Sequence, residues 1–329
     1  MSIRPPKALL EVRNLKKYFP VRGGILQRTV AHVRAVDGVS FSINKGHTLG
    51  LVGESGCGKS TLGRAILRLH EPTSGQVLVD GQNILSLSRN QLGEYRRRLQ
   101  IIFQDPFASL SPRRTVAQII REPLDVHRIG TSPSREQRVI ELLADVGMGA
   151  EVRDRYPHEF SGGQRQRIGI ARALALDPDF IVADEPVSAL DVSVQSQVLN
   201  LIAELKRKRG IAFLFISHDL AVIQHVSDEI GVMYLGRIVE QAAVGDLYAE
   251  PKHPYTQVLM SAIPVPDPTT KRSRIVLEGD VPSPMHPPDG CPFHTRCMQA
   301  MVICKTTVPP TINVGDAANP HRVFCHLHS

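Results

Sequence analysis

Gly53-Glu54-Ser55-Gly56-Cys57-Gly58-Lys59-Ser60 is the stretch on which the reading of this chain turns. It fits G-x-x-x-x-G-K-[ST], and it stands where that pattern works, after the apolar strand-like run Thr48 to Gly53 and before a helix from Lys59. The glycines let backbone N–H groups turn inward and cradle phosphates at a helix N-terminus. Lys59 supplies a point charge for β and γ oxygens, the Ser60 hydroxyl suits Mg²⁺, and Thr61 follows on the same turn. A glycine-rich turn that matches by chance is the alternative, and the rest of the chain has to decide.

Working outward, Phe180-Ile181-Val182-Ala183-Asp184-Glu185 reads as a buried strand that ends in two carboxylates. An apolar strand can present carboxylates at low cost only at its C-terminal end, where open parallel sheets bind ligands. Asp184 is placed to hold a metal and Glu185 to polarise an attacking water as general base. A solvated acidic loop explains neither the apolar residues before the pair nor Pro186 after it. Further strand-like runs at Gln100 to Gln104 and Ala212 to Ser217 alternate with helical patterns, which predicts an α/β domain with a largely parallel core sheet. Val194, Val198, Leu201, Ile202 and Leu205 share one helical face that ends at Gly210, and are expected to be core. From about 115 to 176 strand signals fade, so a helical subdomain is expected there.

Ser161-Gly162-Gly163-Gln164-Arg165 opens a helical run about twenty residues before that strand. With it the chain resembles the ATP-binding cassette (ABC) family, whose signature Ser-Gly-Gly-Gln stands in this order and at this distance. The resemblance implies a P-loop NTPase fold with a parallel core sheet, an antiparallel β part and an inserted helical subdomain. It implies ATP and Mg²⁺ as ligands, with Gln104 as the Q-loop glutamine at Mg²⁺ or the lytic water. Ser188-Ala189-Leu190-Asp191 resembles the D-loop, His218 the switch histidine at the γ-phosphate, and Tyr18 the aromatic that stacks on adenine, with Phe19 as the adjacent candidate. Phe160 stands where the family usually has Leu. Since the family clamps each ATP between the phosphate loop of one subunit and the signature of another, a single copy is expected to be inactive alone.

Phe103-Gln104-Asp105-Pro106-Phe107-Ala108-Ser109-Leu110-Ser111-Pro112-Arg113, His253-Pro254-Tyr255-Thr256 and a cysteine-bearing tail resemble the ATPases of oligopeptide and dipeptide importers. Ser111 stands where many relatives carry Asn. The likeness implies two transmembrane permease subunits, an indirect solute-binding protein, and a peripheral position on the cytoplasmic face of the inner membrane. Val21 to Val33 resembles an insertion of one of two paralogous ATPases, implying a heterodimer, with a homodimer as the alternative. The same engine serving nickel or glutathione is the alternative substrate reading.

Eleven of the 24 prolines fall from Pro264 onward, placing an expected boundary between a cassette at 1–263 and an extension at 264–329. The extension carries Cys291, Cys297, Cys304 and Cys325. In a reducing compartment these are metal ligands or plain thiols. Some relatives with such a tail bind a [4Fe–4S] cluster; zinc and no metal are the alternatives, the spacing being wider than in common zinc modules. His294, His321, His326 and His328 are expected at the surface.

Composition narrows the rest. The 329 residues are 42% hydrophobic and 22% charged, too apolar for a disordered chain. The N-terminus lacks the long apolar stretch of a secretory signal, and no apolar run approaches the eighteen or so residues that span a bilayer. A formal charge of +7 would suit nucleic acid, but Arg96-Arg97-Arg98 and Lys206-Arg207-Lys208-Arg209 lie on helix-like segments without interleaved aromatics, and Trp is absent. No nucleic-acid partner is expected. A chromosome-organising cassette ATPase would need coiled-coil heptads, and a translation-associated one would carry two cassettes; neither feature is present.

Overall fold

Phe180–Asp184 is buried at every position, so both of its faces are covered. In the computed structural model, which describes residues 8–24, 27–263, 275–316 and 319–329, it pairs in parallel with Leu99–Ile102 on one side and Ala212–Ile216 on the other. Asp184 stands opposite Ile216 at the C-terminal end of the ladder. These strands belong to the first of two compact units, built from Ile43–Thr48 and Ser86–Ile216 together with the described residues before Leu10.

Between Ile102 and Phe180 the described residues form helices and turns only, with Val116–Val126, Ser132–Asp145 and Gly162–Leu174 as the long elements. Each starts at a hydroxyl side chain that satisfies an otherwise orphaned N–H. Thr115 with Gln118, Thr131 with Ser134 and Ser161 with Gln164 all close reciprocal capping boxes. The long helix Val192–Arg209 follows Asp191 and stops at Gly210, whose φ of 64° is the left-handed conformation that ends helices. Val198, Leu201, Ile202 and Leu205 are buried as their spacing requires, but Val194 is only half-buried, because that turn lies over the glycine-rich helix start at Gly163 instead of over the core.

The second unit comprises Leu10–Ser42, Leu49–Leu85 and the described part of Ser217–Ser329. One of its sheets is antiparallel, in the order Arg28–Ile43, Leu10–Gly23, Ser74–Val79 and Gln82–Asn83. Leu10 and Val12 stand opposite Val79 and Val77 in it, all four buried. In the other, Thr48–Val52 runs parallel to Glu229–Tyr234, which pairs antiparallel with Arg237–Ala243. The strand Arg322–Phe324 pairs with Arg237–Ala243 and in turn with Thr311–Asn313. The expected boundary at Pro264 lies outside the described residues, as do Ile25 and Leu26 of the Val21 to Val33 segment.

A buried carboxylate ties these C-terminal strands down. Glu240 accepts the backbone N–H groups of Lys252 (2.7 Å) and His253 (2.9 Å) and lies 2.6 Å from Nε2 of His321. Burial would raise its pKa, but the His321 contact and the backbone donors outweigh that and hold it below the ordinary glutamate value. Removing one member strands the others in a dry environment. Glu240→Ala is therefore expected to cost about 3 kcal/mol in urea unfolding followed by circular dichroism, and a loss under about 0.5 kcal/mol would contradict this role.

Candidate functional site

The phosphate loop lies in the second unit, between Thr48–Val52 and the helix Lys59–Ile66. Two of its glycines are dictated by crowding and backbone angle together. Gly53 has φ 154° and a Cβ there would stand 2.1 Å from the Met233 carbonyl oxygen; Gly58 has φ 110° and a Cβ would stand 2.0 Å from that of Ala35. Lys59 is buried, and its ammonium donates to the carbonyls of Gly53 (2.7 Å) and Glu54 (3.0 Å), bent across the loop it serves. Cys57 is buried behind the loop, and Ser55 and Gly56 are exposed at its tip.

Tyr255 of the His-Pro-Tyr run supports this loop, a role its sequence position does not announce. Its hydroxyl accepts the N–H of Glu54 at 2.9 Å. The ring lies fully buried against Tyr234 and Phe293, with centroids 4.8 and 5.4 Å away. His253 starts the same helix, Pro254–Ser261, by accepting the Tyr255 N–H on Nδ1 at 3.1 Å. That nitrogen must be unprotonated, and burial pushes the His253 pKa down to about 4.

Also in this unit, the Tyr18 hydroxyl donates to Asp37 at 2.5 Å, and Asp37 pairs with Arg237 at 2.6 Å. Burial and that carboxylate push the Tyr18 pKa to about 12. Phe19 instead sits edge-on to His70 at 5.6 Å. His218 is exposed, just before the helix Leu220–Val226 that Asp219 caps through the Ala221 N–H.

The first unit holds the other site residues. Asp184 is 1% exposed. Glu185 takes φ 46°, a left-handed angle uncommon for a residue with a Cβ, and its N–H donates to the Ile216 carbonyl at 3.0 Å. Gln104, two residues past Leu99–Ile102, donates Nε2 to Glu185 Oε2 at 3.1 Å. The Ser188 hydroxyl donates to the Glu185 carbonyl at 3.1 Å, and Gln195 donates to the Val187 and Leu190 carbonyls at 3.0 Å each, fixing the turn that leads to Asp191. At the signature, the Ser161 N–H donates to Gln164 Oε1 (3.0 Å) and Ser161 Oγ accepts the Gln164 N–H (3.4 Å). Gly163 leaves room for Val194, since an added Cβ would stand 2.3 Å from its Cγ1 and force that side chain to move.

The cysteine tail departs from expectation. Cys291, Cys304 and Cys325 are buried, Cys297 is half-buried, and all are free thiols. Among the described residues no group of three or more His, Cys, Asp or Glu side chains is arranged to hold a metal ion, so the expected [4Fe–4S] or zinc centre is not supported. Burial, reinforced by the neighbouring cysteines, pushes the Cys291 pKa up to about 11, so its sulfur is a neutral thiol here. The histidines also differ from expectation: His321 and His326 are buried, held by Glu240 and by the Thr307 carbonyl (2.9 Å), because the tail folds over them.

With this geometry in place, residues 36–188 match the ABC transporter family model, and residues 239–304 match that of the oligopeptide/dipeptide transporter C-terminal region. Over its full length the chain is 55% identical to the full-length oligopeptide transport ATP-binding protein AppF of Bacillus subtilis. The chain belongs to the ABC transporter family. It is also 52% identical to a probable peptide ABC transporter ATP-binding protein, y4tS, of Sinorhizobium fredii, covering 98% of this chain and 90% of that one. Among solved structures, the ADP- and phosphate-bound dimer of the ATP-binding cassette MJ0796 matches with a TM-score of 0.63 at 27% identity, over 71% of this chain and 98% of that one. CbiO1 of Clostridium perfringens, part of the ABC transporter complex cbiONQ, matches with a TM-score of 0.64 at 27% identity, over 74% and 92%. The α/β fold of this ABC ATPase is thus the expected one, with parallel strands in the first unit and antiparallel pairs beside a parallel one in the second.

His253 gives this ABC ATPase a pH signature. Its pKa is lowered on folding from 6.5 to about 4, so the unfolded chain binds the extra proton between those values. The stability it contributes is complete above about pH 6.5 and falls by roughly 1.4 kcal/mol per pH unit as pH drops toward 4. His253→Asn, which keeps an acceptor at the cap, is expected to flatten the dependence of urea-unfolding stability on pH between 6.5 and 4 by about that slope. An unchanged slope would contradict the assignment.

Proposed function

We propose that this chain is the ATP-hydrolysing subunit that energises import of di- and oligopeptides through a membrane ABC transporter. The observation that carries the reading is the full-length 55% identity to an oligopeptide transport ATP-binding protein, together with the match of the C-terminal region to that transporter class. In this reading 1–263 is the cassette, with a helical subdomain at about 115–176, and 264–329 is the peptide-transporter extension. Two subunits pair head to tail, the phosphate loop of one facing the signature of the other, as fits the dimeric state of MJ0796. The partner is a paralogous ATPase, a homodimer being the alternative.

Each residue then has a physical task. Amides of Gly53 to Ser60 surround the phosphates and Lys59 exchanges its loop carbonyls for β and γ oxygens. Ser60, Asp184 and Gln104 offer hydroxyl, carboxylate and amide oxygens, a hard donor set that suits Mg²⁺, which when bound neutralises phosphate charge. Glu185 accepts a proton from the attacking water, oriented by its unusual backbone angle and by Gln104. His218 contacts the γ-phosphate, Tyr18 stacks on adenine, and the N–H groups at Ser161 to Gln164, with Asp191 beside them, complete the opposite half-site.

Coupling follows from differential affinity: ATP binds the closed pair better than the open one, and hydrolysis resets it. Phe107, 62% exposed and stacked under Arg165 at 3.9 Å, supports a permease-docking surface beside Gln104. Among the described residues no helix is long and apolar enough to cross a membrane, and the proposed position is peripheral, on the cytoplasmic face, against two permease subunits that receive solute from a binding protein.

The test is Glu185→Gln in the complex reconstituted in liposomes. Phosphate release and labelled-peptide uptake are expected to fall at least 100-fold while ATP binding persists and the ATPase pair is trapped as a dimer in sedimentation. Uptake at the original rate would refute the assignment.

A further inference from the structure

The residue after the first loop glycine is an acid, which is the wrong sign beside a triphosphate, and the structure shows what offsets it. Arg296, from the cysteine-bearing tail, donates one N–H to Glu54 Oε2 at 2.9 Å and another to Oε1 at 3.2 Å. Such a two-pronged pair is the strongest geometry an arginine and a carboxylate can adopt. The Arg296 side chain is 7% exposed, lies over the Tyr234 ring at 6.0 Å, and follows closely on Phe293, which is buried against Tyr234 and Tyr255. Burial disfavours the guanidinium charge, yet the Glu54 pair outweighs that and raises its pKa. Every polar group of Glu54 is therefore engaged: its N–H by Tyr255, its carbonyl by Lys59 and its carboxylate by Arg296.

We propose that Arg296 is a positioning residue for nucleotide, cancelling the charge of Glu54 at the phosphate loop and so making ATP affinity depend on the C-terminal tail. The inference rests on the reading of Gly53 to Ser60 as the ATP phosphate site. Without the guanidinium, Glu54 would keep a full negative charge on the loop, and the penalty would grow with the charge of the ligand, ATP suffering more than ADP and ADP more than AMP. A tail that merely braced the fold would weaken all three alike.

The experiment is a double-mutant cycle on the full chain, with affinities for ATP, ADP and AMP measured by calorimetry. Arg296→Gln is expected to weaken ATP binding about tenfold and AMP binding under twofold, and Arg296→Lys, which keeps the charge, to stay within about threefold for ATP. Adding Glu54→Gln to Arg296→Gln should recover most of the loss. Glu54→Gln alone, which leaves the buried guanidinium in place, should bind ATP several-fold more tightly, and this arm stands even where Arg296→Gln fails to fold. Equal losses for ATP and AMP, no recovery in the double variant, or weaker ATP binding by Glu54→Gln would each overturn the proposal. Lys59→Ala separates the two levels: loss of ATP binding there alongside an unaffected Arg296→Gln overturns only the role of Arg296, whereas undiminished binding by Lys59→Ala overturns the loop reading as well.

Discussion

Strands buried on both faces leave their chemistry nowhere to go but their ends. Thr48–Val52, Phe180–Asp184 and Ala212–Ile216 are buried at every position, and each is followed within two residues by a group proposed to meet the nucleotide: Gly53, Glu185 and His218. A polar side chain in mid-strand would have to be dehydrated without a partner, at a cost of a few kcal/mol. At the C-terminal end the same side chain meets a turn, where backbone angles can be chosen to aim it. Gly53 at φ 154° and Glu185 at φ 46° are two outcomes of that freedom, one by removing Cβ and one by tolerating it under strain.

Charge has to be balanced as carefully as backbone. The phosphate loop carries one acid and one base of its own, and neither is left to solvent: Lys59 is bent onto the loop carbonyls, and Glu54 is matched by an arginine 242 positions away. The tail also closes over Glu240 through His321 and adds its strands to the sheet that contains Arg237–Ala243. The tail therefore has a structural reason to accompany the loop that does not require a metal.

The elements legible in the sequence are those whose physics is local. Gly53 to Ser60, Asp184 with Glu185, and Ser161 to Gln164 were readable because a turn, a strand end and a capping box each leave a signature within a few residues. The support of the loop was not. Tyr255 lies 201 residues from Glu54 and Arg296 lies 242 residues from it, and no periodicity connects such pairs. The cysteine spacing invites a metal reading because spacing says nothing of burial or of the direction in which thiols point, and His321 and His326 read as surface residues because their partners, Glu240 and the Thr307 carbonyl, lie 81 and 19 positions away.

The central claim is that the chain binds ATP on its own loop and cleaves it only when a second subunit supplies a signature. The most direct measurement is ATP turnover in the assembled complex after Ser161→Arg is introduced in this chain and at the corresponding position of its partner. The account expects turnover to fall at least 100-fold with ATP still bound at the phosphate loops. Turnover at the original rate would contradict it.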